Sequence, residues 1–393
     1  MWVILAAAVF VLLLGMIEKR RHQKRIDSIP VRININGIRG KSTVTRLIYG
    51  VVKEAGYKTV GKTTGTDARM MYWNTREEKP IVRRPEGPNI GEQKRVIHEV
   101  YDLKAEALVS ECMAVNPDYQ VIFQEDMLQA NIGLIVNVLE DHMDVMGPTL
   151  DEVAEAFVAT IPHNGHVIVN ESPYIDYYRK EAEKRNSTLI VCDNTRISEQ
   201  FLKSFEYMVF PDNASLALAV ADALGIDEKT AFRGMLNAPP DPGAMKILPL
   251  ADAANPGFFV NGFAANDASS TINIWKRVED LGYPTENAVV IMNCRHDRVD
   301  RTIQFAHDVL PFIPAGDVVI IGDTTQPIED SYQAGNIPAG NFHNLEGYST
   351  NEILAVLEPM MSGRAIYGVG NIHGAATPLI EQLEEYKIKQ IVS

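Results

Sequence analysis

The most constraining feature of the chain is a short segment rich in glycine, Gly37–Thr43 (GIRGKST), that lies between two runs of different periodicity. The run before it, Val31–Asn36 (VRININ), is short and β-branched, which is typical of a strand. The run after it, Ser42–Ala55, has the apolar spacing of a helix. The sequence therefore predicts a strand–loop–helix unit with this segment at the N-terminus of the helix.

The residue types in this loop favour phosphate binding. Gly37 and Gly40 let backbone N–H groups face a phosphate, and the N-terminus of the following helix adds partial positive charge. Lys41 can reach the β- and γ-phosphates of a nucleotide, and the hydroxyl of Ser42 or Thr43 can bind Mg²⁺. A plain strand–turn–helix junction is the alternative. We predict a nucleotide-binding loop with these contact residues: Gly37, Arg39, Gly40, Lys41, Ser42 and Thr43.

Apolar runs that alternate with helical patterns predict an α/β fold with a parallel sheet. The expected strands of the first part are Val31–Asn36, Ala107–Val109, Ile132–Val138, His166–Val169, Thr188–Val191 and Tyr207–Phe210, and the expected helices include Thr149–Thr160 and Ala214–Leu224. The segment Gly61–Gly91 is rich in Thr, Arg, Gly and Pro, and we interpret it as a long functional loop.

A Pro-rich break, Asn237–Gly243 (NAPPDPG), indicates a domain boundary. The βα rhythm resumes after it, with Val289–Asn293, Val318–Gly322 and Ala365–Val369 as expected strands. We therefore expect an ATP-binding central domain over residues 31–237 and a smaller Rossmann-like domain over residues 238–393.

Acidic and imidazole side chains follow two of the expected strands. Glu111 ends the run Ala107–Ser110, and His142 lies in an acidic turn that follows the run beginning at Ile132. The carboxyl ends of parallel strands form the usual ligand crevice beside a phosphate loop. Mg²⁺ prefers oxygen ligands, which Glu111 supplies. We predict that Glu111 and His142 bind metal, and a solvated acidic turn is the alternative for His142.

The N-terminus predicts a membrane anchor. Trp2–Ile17 carries no charge, and as a helix it would extend about 24 Å, which is short of the ~30 Å hydrocarbon core. The basic residues of the following linker, residues 18–30, can extend the span because their stems snorkel. By the positive-inside rule this cluster stays cytoplasmic, and so does the remainder of the chain. A peripheral amphipathic helix or a buried core helix is the alternative.

Composition excludes several classes of protein. The 393 residues are 46% hydrophobic and 22% charged, which rules out wholesale disorder and a polytopic membrane protein. The net charge of −14 argues against binding to nucleic acid. The three cysteines, Cys112, Cys192 and Cys294, form no C-x-x-C pair, so neither a zinc site nor a disulfide framework is indicated.

An ordered set of segments resembles the Mur ligase superfamily, the ATP-dependent amide ligases that include folylpolyglutamate synthase. The segments that carry the resemblance are Gly37–Thr43, Glu111, Asn137–Asp144, Asn213–Gly225, Pro240–Gly243 and Asn261–Asp267. The resemblance implies ATP and Mg²⁺ as cofactors, Asn213 as an adenine contact, and Glu111 and His142 as metal ligands. It leaves the charged role of the last segment to Asp267.

Within the superfamily, the residue sequences of these motifs resemble those of the ligase subunits of poly-γ-glutamate synthases. That resemblance implies an ADP-forming ligase that activates the γ-carboxylate of glutamate or of a poly-γ-glutamate chain as an acyl phosphate and joins it to another glutamate. Arginines would meet the anionic groups. Arg69 is the candidate in the long loop, Arg295 and Arg298 are the candidates after a C-terminal strand, and the Thr64 hydroxyl is a further candidate metal ligand.

The anchor and the resemblance together imply that the protein acts at the inner face of the cell membrane. They imply as partners the small membrane subunits of a synthase and export complex. A homo-oligomer stays open. Two alternatives remain at this stage: a related ligase with another acceptor, such as a folylpolyglutamate-like ligase, and a membrane-tethered P-loop ATPase that acts as a scaffold without ligation.

Overall fold

The computed structural model describes residues 2–65, 68–82, 89–241, 244–250, 254–265 and 267–386. Parts of the Gly61–Gly91 segment, Pro242 and Gly243 of the Pro-rich break, and Asn266 lie outside the described residues. The described chain forms two compact units: residues up to 204 together with 209–241, and residues 205–208 together with those from 244 onward.

The first unit is built on an eight-stranded sheet whose strand order is β4-β3-β2-β5-β1-β6-β7-β8. The strands are β1 Val31–Asn36, β2 Thr59–Lys62, β3 Arg69–Tyr72, β4 Lys79–Pro80, β5 Ala107–Glu111, β6 Ile132–Ile135, β7 His166–Val169 and β8 Thr188–Val191. The pairs from β2 to β8 are parallel, and β3 and β4 add an antiparallel edge. A mostly parallel sheet needs cover on both faces. Two apolar clusters lie against one face, and the helix Lys41–Glu54 packs on the other, where a Cβ on Gly61 of β2 would meet the Tyr49 ring.

The helices of this unit are α1 Trp2–Asp27, α2 Lys41–Glu54, α3 Glu92–Asp102, α4 Pro117–Ile122, α5 Met143–Met146, α6 Leu150–Phe157, α7 Ile175–Lys184, α8 Glu199–Leu202, α9 Pro211–Leu224 and α10 Glu228–Leu236. A π-helix, Phe123–Leu128, continues α4. α2 is buried along its middle, from Val44 to Val52, and α10 packs so closely on it that a side chain at Gly50 would meet the backbone of Gly234.

Strand order explains why one edge of this sheet collects the polar residues. β1 lies at the centre, with β5 on one side and β6 on the other. Ile35 is in register with Glu111, and Asn36 is in register with Ile135. The chain crosses from one side of β1 to the other after β5, so a crevice opens at the carboxyl ends of these three strands.

The second unit has a six-stranded sheet with the order β13-β12-β11-β14-β10-β9, parallel except for β9. Its strands are β9 Ile247–Leu250, β10 Gly257–Asn261, β11 Val289–Cys294, β12 Ala315–Gly322, β13 Ala339–Glu346 and β14 Ala365–Gly370. Its helices are α11 Ala268–Asp280, α12 Val299–Asp308, α13 Gln326–Gln333, α14 Thr350–Leu357 and α15 Ala376–Glu385.

The predicted α/β class, with a parallel-rich central sheet and a smaller Rossmann-like sheet, is confirmed. Two local predictions are wrong. Tyr207–Phe210 is not a strand: it runs irregularly into Pro211, where α9 begins, and the Met208 amide donates to the Met245 carbonyl at 2.8 Å. Gly61–Gly91 is not only a loop, because β3 lies within it and pairs antiparallel with β2.

Helix α1 is longer than the predicted anchor. It continues without a break from the apolar run through the basic segment to Asp27, and at 1.5 Å per residue it extends about 39 Å. Its apolar half is exposed, and by length and composition it could cross a membrane. The basic segment is therefore helical rather than an extended linker.

A buried arginine joins α2 to the remainder of the first unit. The side chain of Arg46 is 1% exposed, and its guanidinium pairs with Glu78 and, at 3.2 Å, with Asp241. Burial by itself lowers the pKa of Arg46, but the hydrogen bonds and charges of Glu78 and Asp241 outweigh it, so the pKa is raised. Two carboxylates in a partly buried site depend on this one cation.

Arg46→Met should therefore be strongly destabilising, since the substitution keeps the bulk and leaves both carboxylates without a cation. We expect the free energy of unfolding of the first unit to fall by about 3 kcal/mol. Urea unfolding followed by the fluorescence of Trp73, in the same unit, measures it. Arg196→Met is the control, because Arg196 pairs with Asp222 at the surface and should cost about 1 kcal/mol or less. Equal losses in the two variants would contradict the assignment.

Candidate active site

The predicted phosphate loop lies at the C-terminal end of β1 and leads into α2. Gly37 and Gly40 both have positive φ, 131° and 81°. A Cβ on Gly37 would lie 3.0 Å from the backbone nitrogen of Val136, and a Cβ on Gly40 would lie 3.0 Å from Oδ1 of Asn213. The two glycines thus permit both the turn and its close packing. Asn213, in the first turn of α9, lies directly against the loop, as expected for a residue of the same site.

Asn137 holds the middle of the loop from the neighbouring strand end. Its Oδ1 accepts from the amides of Ile38, at 3.1 Å, and Arg39, at 3.0 Å, while its Nδ2 donates to the Arg39 carbonyl at 3.0 Å. One side chain therefore fixes two consecutive backbone amides and the carbonyl that follows. Asn137 lies in one of the segments that carry the family resemblance, but the sequence alone indicates no role for it.

Asn36, the last residue of β1, holds the start of the loop. Its Oδ1 accepts from the Gly37 amide at 2.9 Å. Its Nδ2 donates to Oε1 of Gln120 at 2.8 Å and to Oγ1 of Thr160 at 3.0 Å. Because Asn36, Gln120 and Thr160 are all buried, these bonds are protected from water. The signal in the sequence was a polar residue at a buried position of a central strand.

Glu111 connects three elements beside the loop. Its carboxylate accepts from Ser42 Oγ at 3.0 Å, from the Thr64 amide at 2.9 Å and from Thr64 Oγ1 at 2.5 Å. Glu111 is 3% exposed, so these donors compensate the loss of hydration. The predicted metal ligands Ser42 and Thr64 are thus both in direct contact with the third, Glu111.

Lys41 lies over the same edge. Its ammonium donates to the carbonyls of Gly37 at 2.8 Å and Ile38 at 3.2 Å. A cavity of about 210 Å³ opens here, and its wall includes Lys41, Thr64, Glu111 and His142. The structure therefore brings together predicted phosphate and metal contacts that lie far apart in the sequence.

His142 borders this cavity from the other side. It has a positive φ of 52°, it precedes α5, and its side chain is about half exposed. Its amide donates to Oδ1 of Asp141 at 2.9 Å, and Asp141 pairs with Arg39 at 3.2 Å. Among the described residues, no three His, Cys, Asp or Glu side chains form a metal-binding group. The metal role of His142 stays a prediction.

Lys62 is a charged residue near the site that the sequence analysis missed. It is fully buried at the end of β2, 3.3 Å from Glu92. Burial lowers the pKa of Lys62, and the nearby carboxylates of Glu92 and Glu111 oppose that shift. Cys112, which follows Glu111, is also buried, and this burial raises the pKa of its thiol to about 11. A thiol with so high a pKa is not an activated nucleophile.

The remaining predicted residues lie outside this cavity. Arg69 begins β3, and its amide donates to Oγ1 of Thr63 at 3.0 Å, so its backbone supports the Thr63–Thr64 turn. In the second unit, Asp267 caps α11 by accepting from the Ser270 amide at 2.8 Å. Arg295 and Arg298 both follow β11. Arg295 pairs with Asp297 at 2.7 Å, and Arg298 is exposed. Their proposed contacts with anions stay predictions.

The donor set beside the loop fits a hard divalent cation. Two hydroxyls and one carboxylate supply only oxygen atoms, and Mg²⁺ usually completes its shell with water and phosphate oxygens. Backbone amides at the N-terminus of α2 and the Lys41 ammonium supply positive groups for phosphates. The arrangement suits a metal-dependent nucleotide site.

Comparison with known proteins assigns the fold and then the family. Residues 35–238 match the Mur ligase middle domain, and residues 247–386 match the poly-gamma-glutamate synthase CapB C-terminal domain. A solved folylpolyglutamate synthase/dihydrofolate synthase from Yersinia pestis, complexed with AMPPNP and Mn ion, is similar with a TM-score of 0.62 at 10% identity, over 93% of this chain and 92% of that chain. The fold is that of the Mur-type ATP-dependent amide ligases.

Two relatives assign the chain to one family within this class of ligases. PGA synthase CapB of Bacillus subtilis (strain 168) is 66% identical over 393 residues, which is 100% of both chains. Capsule biosynthesis protein CapB of Bacillus anthracis is 67% identical over 380 residues, 97% of this chain and 82% of that protein. The chain belongs to the CapB family of poly-γ-glutamate synthases, and it is an ATP-dependent amide ligase.

Asn137→Ala should weaken ATP binding, because it removes all three side-chain bonds to the loop. We expect the Kd for a fluorescent ATP analogue to rise about tenfold. Asn170→Ala is the matched control: Asn170 donates to the Val136 carbonyl, at 3.2 Å, and makes no described contact with the loop. If both variants bind the analogue like the parent protein, Asn137 does not organise the loop.

Proposed function

We propose that this ligase extends poly-γ-glutamate at the cytoplasmic face of the membrane, with ATP and Mg²⁺ as cofactors. The contact of Ser42, Thr64 and Glu111 beside Lys41 and the phosphate loop is the observation that carries the nucleotide and metal assignment. The name of PGA synthase CapB and the match to the poly-gamma-glutamate synthase CapB C-terminal domain support glutamate and the poly-γ-glutamate chain as substrates.

The proposed reaction has two steps. A γ-carboxylate oxygen of the acceptor glutamate attacks the γ-phosphorus of ATP, the bond to the β,γ-bridging oxygen breaks, and ADP leaves. The α-amino nitrogen of a second glutamate then attacks the carbonyl carbon of the acyl phosphate. The bond from that carbon to the phosphate oxygen breaks, inorganic phosphate leaves, and the amine releases a proton as the amide forms.

The residues of the loop supply the charge that the first step needs. Lys41 would shift from the loop carbonyls to the β- and γ-phosphates, and the amides held by Asn36 and Asn137 would donate to phosphate oxygens. Ser42, Thr64 and Glu111 would hold Mg²⁺, with His142 as a ligand of a second metal. When bound there, Mg²⁺ neutralises negative charge on the phosphates. Asn213 would contact the adenine.

Cations elsewhere would bind the carboxylates of the two glutamates. We assign this part to Arg69, Arg295 and Arg298, whose guanidinium groups can hold a carboxylate through two parallel bonds. Asp267 would hold the incoming amine. Both substrates are anionic, so juxtaposing them is the second task of the site.

The N-terminal helix supports a location in the cell membrane as a single span. The basic residues after the apolar run favour cytoplasmic placement of both units. A single span offers no conduit for a polyanion, so we also propose small membrane subunits as partners for export. A homo-oligomer stays open.

The first test is nucleotide product analysis on membranes that contain the protein. With Mg²⁺ and ATP, we expect ADP release that requires glutamate and that is lost in Lys41→Ala, because this variant lacks the cation for the transferred phosphoryl group. An amide product should accompany the ADP. ADP release that is indifferent to glutamate would favour an ATPase scaffold or another acceptor, and release of AMP with pyrophosphate would refute acyl-phosphate chemistry.

Metal dependence tests the role of Glu111. Glu111→Gln keeps the shape and removes the charge, so half-maximal ADP release should require about tenfold more Mg²⁺. Chelation with EDTA should abolish turnover in the parent protein, and added Mg²⁺ should restore it. Glu106→Gln is the control, because Glu106 is exposed and directly precedes the strand that Glu111 ends. An unchanged Mg²⁺ requirement in Glu111→Gln would remove Glu111 from the metal site.

A further inference from the structure

The second half of α1 is packed onto the first unit. His22 and Ile26 are buried one helical turn apart, and Ile29 is buried just after the helix ends. Glu18, on the same side, pairs with Lys94 of α3 at 2.7 Å. Arg20, Arg21 and Lys24 are exposed. We call the segment formed by residues 18–29 the docking segment. It is a built part of the unit rather than a flexible tether.

The docking segment supplies hydrogen-bond donors to the end of the π-helix. The last carbonyls of any helix lack partners within the helix. His22 Nε2 donates to the carbonyls of Asp126, at 3.1 Å, and Met127, at 3.2 Å, and a carbonyl can only accept, so Nε2 carries the proton. The side-chain amides of Gln23 and Gln129 exchange two hydrogen bonds, at 2.8 Å and 3.0 Å. The anchor helix therefore caps the π-helix.

The π-helix and the preceding helix α4 in turn hold the central strand. Gln124, in the π-helix, accepts from Asn34 Nδ2 at 3.0 Å and donates to the Ala130 carbonyl at 3.2 Å. Gln120, in α4, accepts from Asn36, whose Oδ1 binds the Gly37 amide. All four of these side chains are buried. A continuous set of contacts thus leads from the docking segment to the first amide of the phosphate loop.

We propose that the docking segment is a positioning element of the nucleotide site: by capping the π-helix, it keeps Gln120 and Gln124 in the register that holds Asn34, Asn36 and, through Asn36, the Gly37 amide. A π-helix is less favourable than an α-helix and persists where its surroundings fix it. Loss of the cap allows this segment to rewind, which moves both glutamines and frees the loop. The proposal rests on the assignment of this loop to ATP under the proposed function.

The test measures nucleotide binding directly, on the full chain in lipid nanodiscs with a fluorescent ATP analogue and Mg²⁺. His22→Ala removes the donor to two carbonyls, and we expect the Kd to rise about fivefold to tenfold. His22→Gln keeps an N–H donor and should recover most of the affinity. Lys24→Ala, on the exposed side of the same helix, should bind like the parent protein. Unfolding temperatures are measured in parallel for all variants.

A purely structural role predicts another pattern, in which His22→Ala lowers the unfolding temperature and leaves the Kd and the KM for ATP unchanged. That result would overturn the proposal, as would an equal loss of affinity in Lys24→Ala. If His22→Ala does not fold, Gln23→Ala replaces it. This variant removes the amide pair with Gln129 and a bond to Asp27 within the same helix, and it leaves both bonds of His22 in place.

Coupling along the contacts gives an independent measurement. Gln124→Met keeps the length of the side chain and removes its bonds to Asn34 and Ala130. If the docking segment acts through the π-helix, the effects of Gln124→Met and His22→Ala on the Kd should be strongly non-additive. Additive effects of the two variants would refute this route. Lys41→Ala separates the two proposals: if it binds the analogue normally, the loop assignment fails, whatever the result for His22.

Discussion

A buried carboxylate organises the catalytic edge of the first unit. Burying an ionised group costs several kcal/mol unless hydrogen bonds replace its hydration, and Glu111 receives three of them. Their donors come from the first turn of α2 and from the turn after β2, while Glu111 itself ends β5. The buried charge of Glu111 is therefore stabilised only when β5, the first turn of α2 and the turn after β2 are all in place. The same oxygen atoms that satisfy Glu111 are those that a divalent cation prefers.

The buried polar residues around this carboxylate orient their neighbours through hydrogen bonds rather than adding stability through apolar packing. Asn34, Asn36, Gln120 and Gln124 occupy buried positions that apolar side chains of similar size could fill without a hydrogen-bond requirement. Each makes at least one bond that orients a neighbour, and Asn36 and Asn137 orient loop amides directly. A phosphate loop gains from such preorganisation, because the amides then need little rearrangement to receive the developing charge. Arg46, one turn further along α2 than Ser42, is also a buried charged group that fixes its neighbours, because one cation holds Glu78 and Asp241.

The local pattern was enough to predict β1, the loop and α2, because the change from a β-branched run to a 3.6-residue period is a property of neighbours in sequence. Glu111 could also be placed, since a charged residue at the end of an apolar run must lie at a sheet edge. The π-helix and its caps could not be predicted, because they depend on contacts between residues about one hundred positions apart. His22, Ile26 and Ile29 have the spacing of one face of a helix in the sequence. The basic residues around them favoured the interpretation of residues 18–30 as a linker. Tyr207–Phe210 has strand composition, yet Pro211 and the helix behind it determine its structure.

The negative net charge of the chain is consistent with an enzyme that binds anions only at a few local sites. With a net charge of −14, the surface as a whole repels ATP, glutamate and a poly-γ-glutamate chain. Under the proposed function, attraction must then come from local groups: the N-terminus of α2, Lys41, and the cation that Glu111 would hold. In the proposed reaction the reacting carboxylate becomes a neutral amide, so the local positive groups no longer attract it. The net negative charge of the chain would then oppose retention of the polyanionic product.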